Sequence, residues 1–428
     1  MNAPPKEELR RGWCPSTLRP METGDGWLVR LHPPGARLTP AQLRRIAALA
    51  TEHGNGLVEI SARANLQIRG VTAESHPKLV ERLLAERLVD EPDGDGPQRL
   101  TLVSPLAGRD PTSLLDAAAL AAEIELRART LSGLPAKLCV VIDDGGAQAL
   151  DGFASDIRLL CIGAGRLALR IGESPWLGPV AQAEAVTVME AILRGFARLR
   201  SAAPDHIRRM RDLSPVALAG LTGLPETTAP AARPKPRRVG LFAAALDRFA
   251  ALIGLPFGRC PAATLERLVA GLETDAAEIR LSPWRGLAFR GFDRARAEAF
   301  LMLAGDLGLI TRDDDPRLSV QACAGSPACS RAEASTMADA AVLAEATAGL
   351  LAGGVTLHVS GCVKACAHPA AADLTLVGRE GRYDVVPGGT TRDKPVATLD
   401  LSALLTRLQP GEDIHARLKA VRSTGSQG

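Results

Sequence analysis

The chain repeats itself. Segment GARLTPAQLRRIAALATEHGNGLVEISARANLQIRGV (Gly35 to Val71) resembles GRCPAATLERLVAGLETDAAEIRLSPWRGLAFRGF (Gly258 to Phe292), a period of about 220 residues. Whatever the first half builds, the second half must build again. Two such halves, related by a pseudo-twofold axis, leave a cleft between them where a ligand can bind. Each copy predicts a loop, a helix and then a strand ending in Arg-Gly (Arg69-Gly70 and Arg290-Gly291). Proline opens each helix, and apolar residues recur at spacings of three and four: Leu43, Ile46, Leu49 against Leu265, Leu268, Leu272. The first strand segment alternates through Ile60, Ala62, Leu66 and Ile68.

The match continues downstream. RLTLVSPLAG from Arg99 pairs with RLSVQACAGSP from Arg317, and DIRLLCIGAGRLALR from Asp156 pairs with DLTLVGREGRYDVV from Asp373. The last two predict hairpins, strand–Gly turn–strand. Each half therefore holds a small α+β unit and a larger α/β unit. ETTAPAARPKPRR, Glu226 to Arg238, lacks apolar periodicity and is expected to link the halves. The tail STGSQG is expected to fray. Gly163-Ala-Gly165-Arg-Leu-Ala168 fits G-x-G-x-x-A, but LALRIG after it alternates as a strand, so those glycines turn a hairpin and bind no dinucleotide.

Composition excludes several classes of function. Net charge is +3 from 51 basic and 48 acidic residues, without the basic excess of a nucleic-acid binder. One tyrosine, Tyr383, leaves little for base stacking. No uninterrupted apolar run is long enough to span a membrane. The start, MNAPPKEELRRG, has no apolar h-region, so a cytoplasmic location is expected.

Four of the eight cysteines form two pairs, Cys323 with Cys329 in CAGSPAC and Cys362 with Cys366 in HVSGCVKACAHP. Four thiolates at this spacing suit an iron–sulfur cluster. A structural zinc site is a rival, although C-x5-C is long for a zinc knuckle. Unliganded core thiols are a third reading, and disulfides are disfavoured in a reducing compartment. Cys14, Cys139, Cys161 and Cys260 are scattered singly, and Cys14 is expected simply to pack. Where the second copy has Cys323, the first has Ser104, so one copy alone carries the thiol site.

Two half-repeats with C-x5-C and C-x3-C in the second resemble the sulfite and nitrite reductase superfamily. Cys14-Pro15, Arg19-Pro20-Met21, Gly24-Asp25-Gly26, Ser104-Pro105-Leu106-Ala107-Gly108, Ser282-Pro283-Trp284-Arg285-Gly286, and His358 through Cys362 and Cys366 to Pro369 are most similar, within it, to the precorrin-3B synthases of aerobic cobalamin synthesis. The resemblance implies an α+β fold of two halves, each a small ferredoxin-like unit plus a larger α/β sulfite-reductase-like unit. The boundaries expected are 1–90 and 91–225 in the first half, a linker at 226–238, and 239–312 and 313–428 in the second.

It also implies that Cys323, Cys329, Cys362 and Cys366 hold a [4Fe-4S] cluster. In the reductases the last of these cysteines also bridges to a siroheme iron. Arg63 and Gln67 match the reductases' T-x-R-x-x-x-Q strand, and Arg99 matches a second basic position. Leu134-Pro135-Ala136-Lys137-Leu138-Cys139 keeps one lysine of L-P-R-K-F-K, with Cys139 where the other stands. The lost cation argues against the alternative, a siroheme-dependent sulfite or nitrite reductase.

The implied reaction is an iron–sulfur monooxygenation. Precorrin-3A is hydroxylated at C20 with O2, and a lactone closes from the ring A acetate. Such a tetrapyrrole carries carboxylates round its rim, which demand paired cations when buried. Arg63, Arg69, Arg99, Lys137, Arg285 and Arg290 are the candidates, with Gln67 beside them. The family is also described as carrying a mononuclear non-heme iron. His358 and His368 are candidate ligands, although a lone histidine is more often a hydrogen-bonded structural residue. Lys364 could offset cluster charge. No catalytic side chain is singled out. With no dinucleotide fingerprint, NADH-derived electrons are expected to arrive through an external reductase.

Overall fold

The computed structural model describes residues 14–89, 96–245, 247–270, 272 and 277–408. The expected fraying of the tail, the start MNAPPKEELRRG and the boundary at 90–91 lie outside them.

The duplication is visible in four five-stranded sheets that form two matched pairs. The first small sheet orders its strands Met21–Thr23, Gly26–Leu31, Leu66–Val71, Leu57–Ile60, Arg259–Pro261; the second orders Gly240–Ala244, Arg248–Gly254, Gly286–Phe292, Glu278–Ser282, Arg37–Leu38. All neighbours are antiparallel. The segment expected as one strand per copy is a hairpin. Val58 faces Ile68 and Ile60 faces Leu66, and the turn places Ala64 at φ +50°, matched by Arg285 at +58° in the other copy.

The last strand of each small sheet comes from the other half. Arg37–Leu38 pairs with Ile279 and Arg280, while Arg259–Pro261 pairs with Leu57 to Glu59. The two small units are therefore one body with one core, in which Leu43, Ile46 and Leu49 meet Leu265, Leu268 and Val269. The first helix, Pro40–His53, starts at a capping box between Thr39 and Gln42 and buries those three apolar residues. Its twin, Ala262–Val269, is shorter than expected, and Leu272 is buried beyond its end.

The larger sheets share a second topology. Thr101–Leu102, Val140–Asp143 and Ile157–Gly163 run parallel, followed by antiparallel Arg166–Ile171 and Leu177–Ala181. Val320–Ala322, Leu357–Ser360 and Ala372–Arg379 are parallel in the same way, followed by Arg382–Gly389 and Ala397–Leu399. Gly163 and Gly165 turn a hairpin, as expected, with Gly165 at φ +69°. The segment after Glu226 has no regular structure but is held down. Arg233 pairs with the buried Asp143 and with Asp151, and Arg238 pairs with Asp313.

Candidate active site

Both cysteine loops leave the carboxyl ends of neighbouring parallel strands, the usual place for a site in such a sheet. Cys323 follows Val320–Ala322, and Cys362 follows Leu357–Ser360. Gly361 lets the loops close. Its N–H donates to Cys323 Sγ at 3.1 Å, and a Cβ there would stand 2.6 Å from that of Ala332. Thr336 Oγ1 donates to the Cys323 carbonyl at 2.7 Å. The four thiols lie within electrostatic reach of one another. Burial pushes the Cys366 thiol up to about 11, and Cys362, Cys323 and Cys329 add to the shift while Lys364 opposes it. Burial likewise raises Cys362, again with Cys323 and Cys329 contributing. Thiols so placed give up their protons to a metal.

Among the described residues, no group of three or more His, Cys, Asp or Glu converges closely enough to hold a single metal ion. A cubane of four irons is larger than one ion and takes sulfurs standing further apart. An all-sulfur set of neighbouring thiols, one already accepting an N–H, fits such a cluster. Among the described residues, a separate mononuclear iron finds no comparable donor set. His358 is fully buried on the strand before Cys362, and neither of its ring nitrogens has a hydrogen-bond partner. The His368 ring lies 5.6 Å away at a steep angle. Burial first, and then His368 and Arg285, hold His358 down at about 4, so the ring is neutral.

A cavity open to solvent lies in the first half. Arg30, Arg63 and Arg99 line it together with Cys14, Asn65 and Cys139, and among the described residues no carboxylate lines it. Burial lowers the basicity of Arg30 and Arg99, so both cations are partly desolvated. Arg99 Nη1 donates to the Ala64 carbonyl at 2.7 Å, and Arg63 Nη1 to the Lys137 carbonyl at 3.1 Å. Burial raises the Cys139 thiol, so it stays neutral. Three arginines face this cavity, and a guanidinium's planar donors suit carboxylate and phosphate groups.

The other expected residues are placed differently. Gln67 takes both Nε and Nη2 of Arg30 on its Oε1, at 3.1 and 2.9 Å, and so aims that guanidinium. Arg69 and Arg290, 3% and 4% exposed, bind protein partners: Arg69 pairs with Asp25 and Glu59, Arg290 with Glu278. Arg285 donates to the Ala367 carbonyl at 2.8 Å, beside Cys366. The Lys137 side chain is exposed next to the cavity-lining Ala136. Two cavity residues escaped the sequence. Arg30 lies in none of the motifs that the sequence offered. Cys14, expected to pack, is partly exposed and lines the cavity beside Arg30.

Residues 19–86 match the nitrite/sulfite reductase ferredoxin-like half domain. The chain is 34% identical over 419 residues to a precorrin-3B synthase of Sinorhizobium sp, covering 94% of this chain and 88% of that one. It is 30% identical over 162 residues to the ferredoxin–nitrite reductase of Synechococcus elongatus, covering 36% of this chain and 31% of the relative. The solved structure of Mycobacterium tuberculosis NirA protein superposes with a TM-score of 0.68 at 21% identity, over 93% of this chain and 84% of the other, and so shares the fold.

Proposed function

The chain belongs to the precorrin-3B synthase family, and from that membership we propose that it oxidises precorrin-3A to precorrin-3B with O2 as an iron–sulfur monooxygenase of cobalamin synthesis. The observation that carries this reading is the cavity where Arg30, Arg63 and Arg99 converge with no carboxylate among the described lining residues. An acid-fringed tetrapyrrole supplies the missing negative charge. Arg63 and Arg99 grip carboxylates directly, and Gln67 holds Arg30 in line. Lys137 adds an exposed cation at the rim, and Arg285 holds the Ala367 carbonyl beside Cys366. The roles of Arg69 and Arg290 as further carboxylate ligands are weaker, because protein carboxylates already pair with both.

Cys323, Cys329, Cys362 and Cys366 would hold the [4Fe-4S] cluster. Such a cluster supplies electrons singly, which lets triplet O2 react with closed-shell carbon. One oxygen atom enters the macrocycle and the other leaves as water, with two electrons and two protons consumed. The electrons derive from NADH through an external reductase. The chain's own residues bind the carboxylates, fix the ring's orientation and keep a neutral thiol, Cys139, where a reductase would place a cation for a small anion.

The test is anaerobic purification with iron and acid-labile sulfide analysis, an absorbance scan, and turnover of precorrin-3A with O2 and an artificial reductant. Iron and sulfide near four per chain, no siroheme bands and a product one oxygen heavier are expected. Siroheme absorbance with sulfite or nitrite consumption would establish the reductase instead. Cys362→Ser should bring iron and sulfide to background; full iron content would remove Cys362 from the ligand set.

A further inference from the structure

The Arg-Gly pair that marks each repeat has a counterpart in space. Arg69 belongs to the first half, yet its Nη2 donates to the Ala328 carbonyl at 3.0 Å, one residue before Cys329 in the second half. Arg290 belongs to the second half, and its Nη1 donates to the Ala107 and Pro105 carbonyls of the first, at 2.8 and 3.3 Å. The loops they reach are equivalent, since each leaves the first parallel strand of its large sheet. Only the loop reached by Arg69 carries cysteines. Behind it, Asp25 takes Nε and Nη2, while Glu59 takes Nη1 at 3.4 Å. The turn bearing Asp25 also rests on this loop: the Gly24 N–H donates to the Ala328 carbonyl at 3.2 Å, and a Cβ on Gly24 would stand 2.6 Å from the Pro327 carbonyl oxygen.

We propose that Arg69 is a positioning residue for the Cys329 loop, reaching across from the other repeat to fix the Ala328 carbonyl and to set a cation beside the sulfur-bound centre. The planar guanidinium serves the purpose because its donors point in fixed directions, to Asp25 on one edge and to the loop on the other. Lysine has one flexible ammonium and cannot grip Asp25 with two parallel donors while holding a third fixed on the loop. Charge and hydrogen bonding around a cluster tune its electronic state, so loosening this contact alters the cluster as well as the loop. That second effect rests on the cluster proposed above; the first does not.

The test compares wild type, R69K and R290K as full chains purified anaerobically. It follows amide hydrogen exchange in segments 324–332 and 104–110, and the EPR spectrum after dithionite reduction. R69K should speed exchange in 324–332 by about tenfold, the ratio that corresponds to loss of a charge-assisted hydrogen bond of about 1.4 kcal/mol, and leave 104–110 at the wild-type rate. R290K should do the reverse. In cluster-loaded protein only R69K should shift the EPR g values. Unchanged exchange at 324–332 in R69K overturns the proposal. So does equal loosening of both loops by either variant, or a wild-type spectrum in loaded R69K. A wild type without acid-labile sulfide would defeat the cluster reading, and the reciprocal exchange pattern would still decide the role of Arg69.

Discussion

Arg63 and Asp25 show how the same interaction serves binding in one place and stability in another. Among the described residues the Arg63 guanidinium donates to one backbone carbonyl and pairs with no carboxylate, so Arg63→Ala should weaken tetrapyrrole binding by about tenfold or more while costing little stability. Titration by fluorescence quenching and a thermal melt separate the two; a collapsed melt with intact affinity would make the arginine structural. At Asp25, burial acts to raise the carboxyl's pKa, but the hydrogen bonds and charge of Arg69 outweigh it and hold the group below its ordinary 3.8. A depressed carboxylate stabilises the fold above its unfolded pKa, and that stabilisation is lost as pH falls through the lower folded value. The stability gap between wild type and Asp25→Asn should thus be full at pH 6 and shrink below about pH 4. Urea melts across that range check it, and a gap that widens in acid would reverse the assignment. The motif Gly24-Asp25-Gly26 was legible only as a resemblance. Its role depends on Arg69 and on the Ala328 carbonyl, and a backbone acceptor leaves no trace in a sequence.

At the scale of elements, the hairpins after Asp156 and Asp373 followed from alternation and turn glycines, because those patterns are local. The exchanged edge strands were not legible. Arg37–Leu38 and Arg259–Pro261 are two and three residues long, too short for any period to show. The helix after Pro261 was drawn too long because Leu272 keeps the apolar spacing, although its burial is achieved outside the helix. The segment after Glu226 was read from its prolines as a bare connection, yet Arg233 neutralises Asp143, which is 1% exposed. Arg233→Ala strands that carboxylate and should destabilise the protein by about 3 kcal/mol, measured by urea denaturation. A loss within about 0.5 kcal/mol would mean that the Gly145 and Leu150 amides satisfy Asp143 by themselves.

For the whole molecule, the duplication predicted two equivalent halves, and the cysteine spacing pointed to one functional end. Neither showed that the small units share a core. Leu43, Ile46, Leu265 and Leu268 belong to one cluster, so both small units should unfold in one calorimetric transition. Two separate small-unit transitions would contradict the shared core. The cavity arginines were partly legible, because Arg63 and Arg99 sit in matched motifs, while Arg30 becomes visible only once Gln67 is seen to orient it. The swapped edge strands also bear on cleavage. A protease nick between residues 226 and 238 would leave each fragment clasping an arm of the other, with Glu59 still gripping Arg259 across the cut. The nicked molecule would behave as a tight heterodimer, and its halves would come apart only by unfolding.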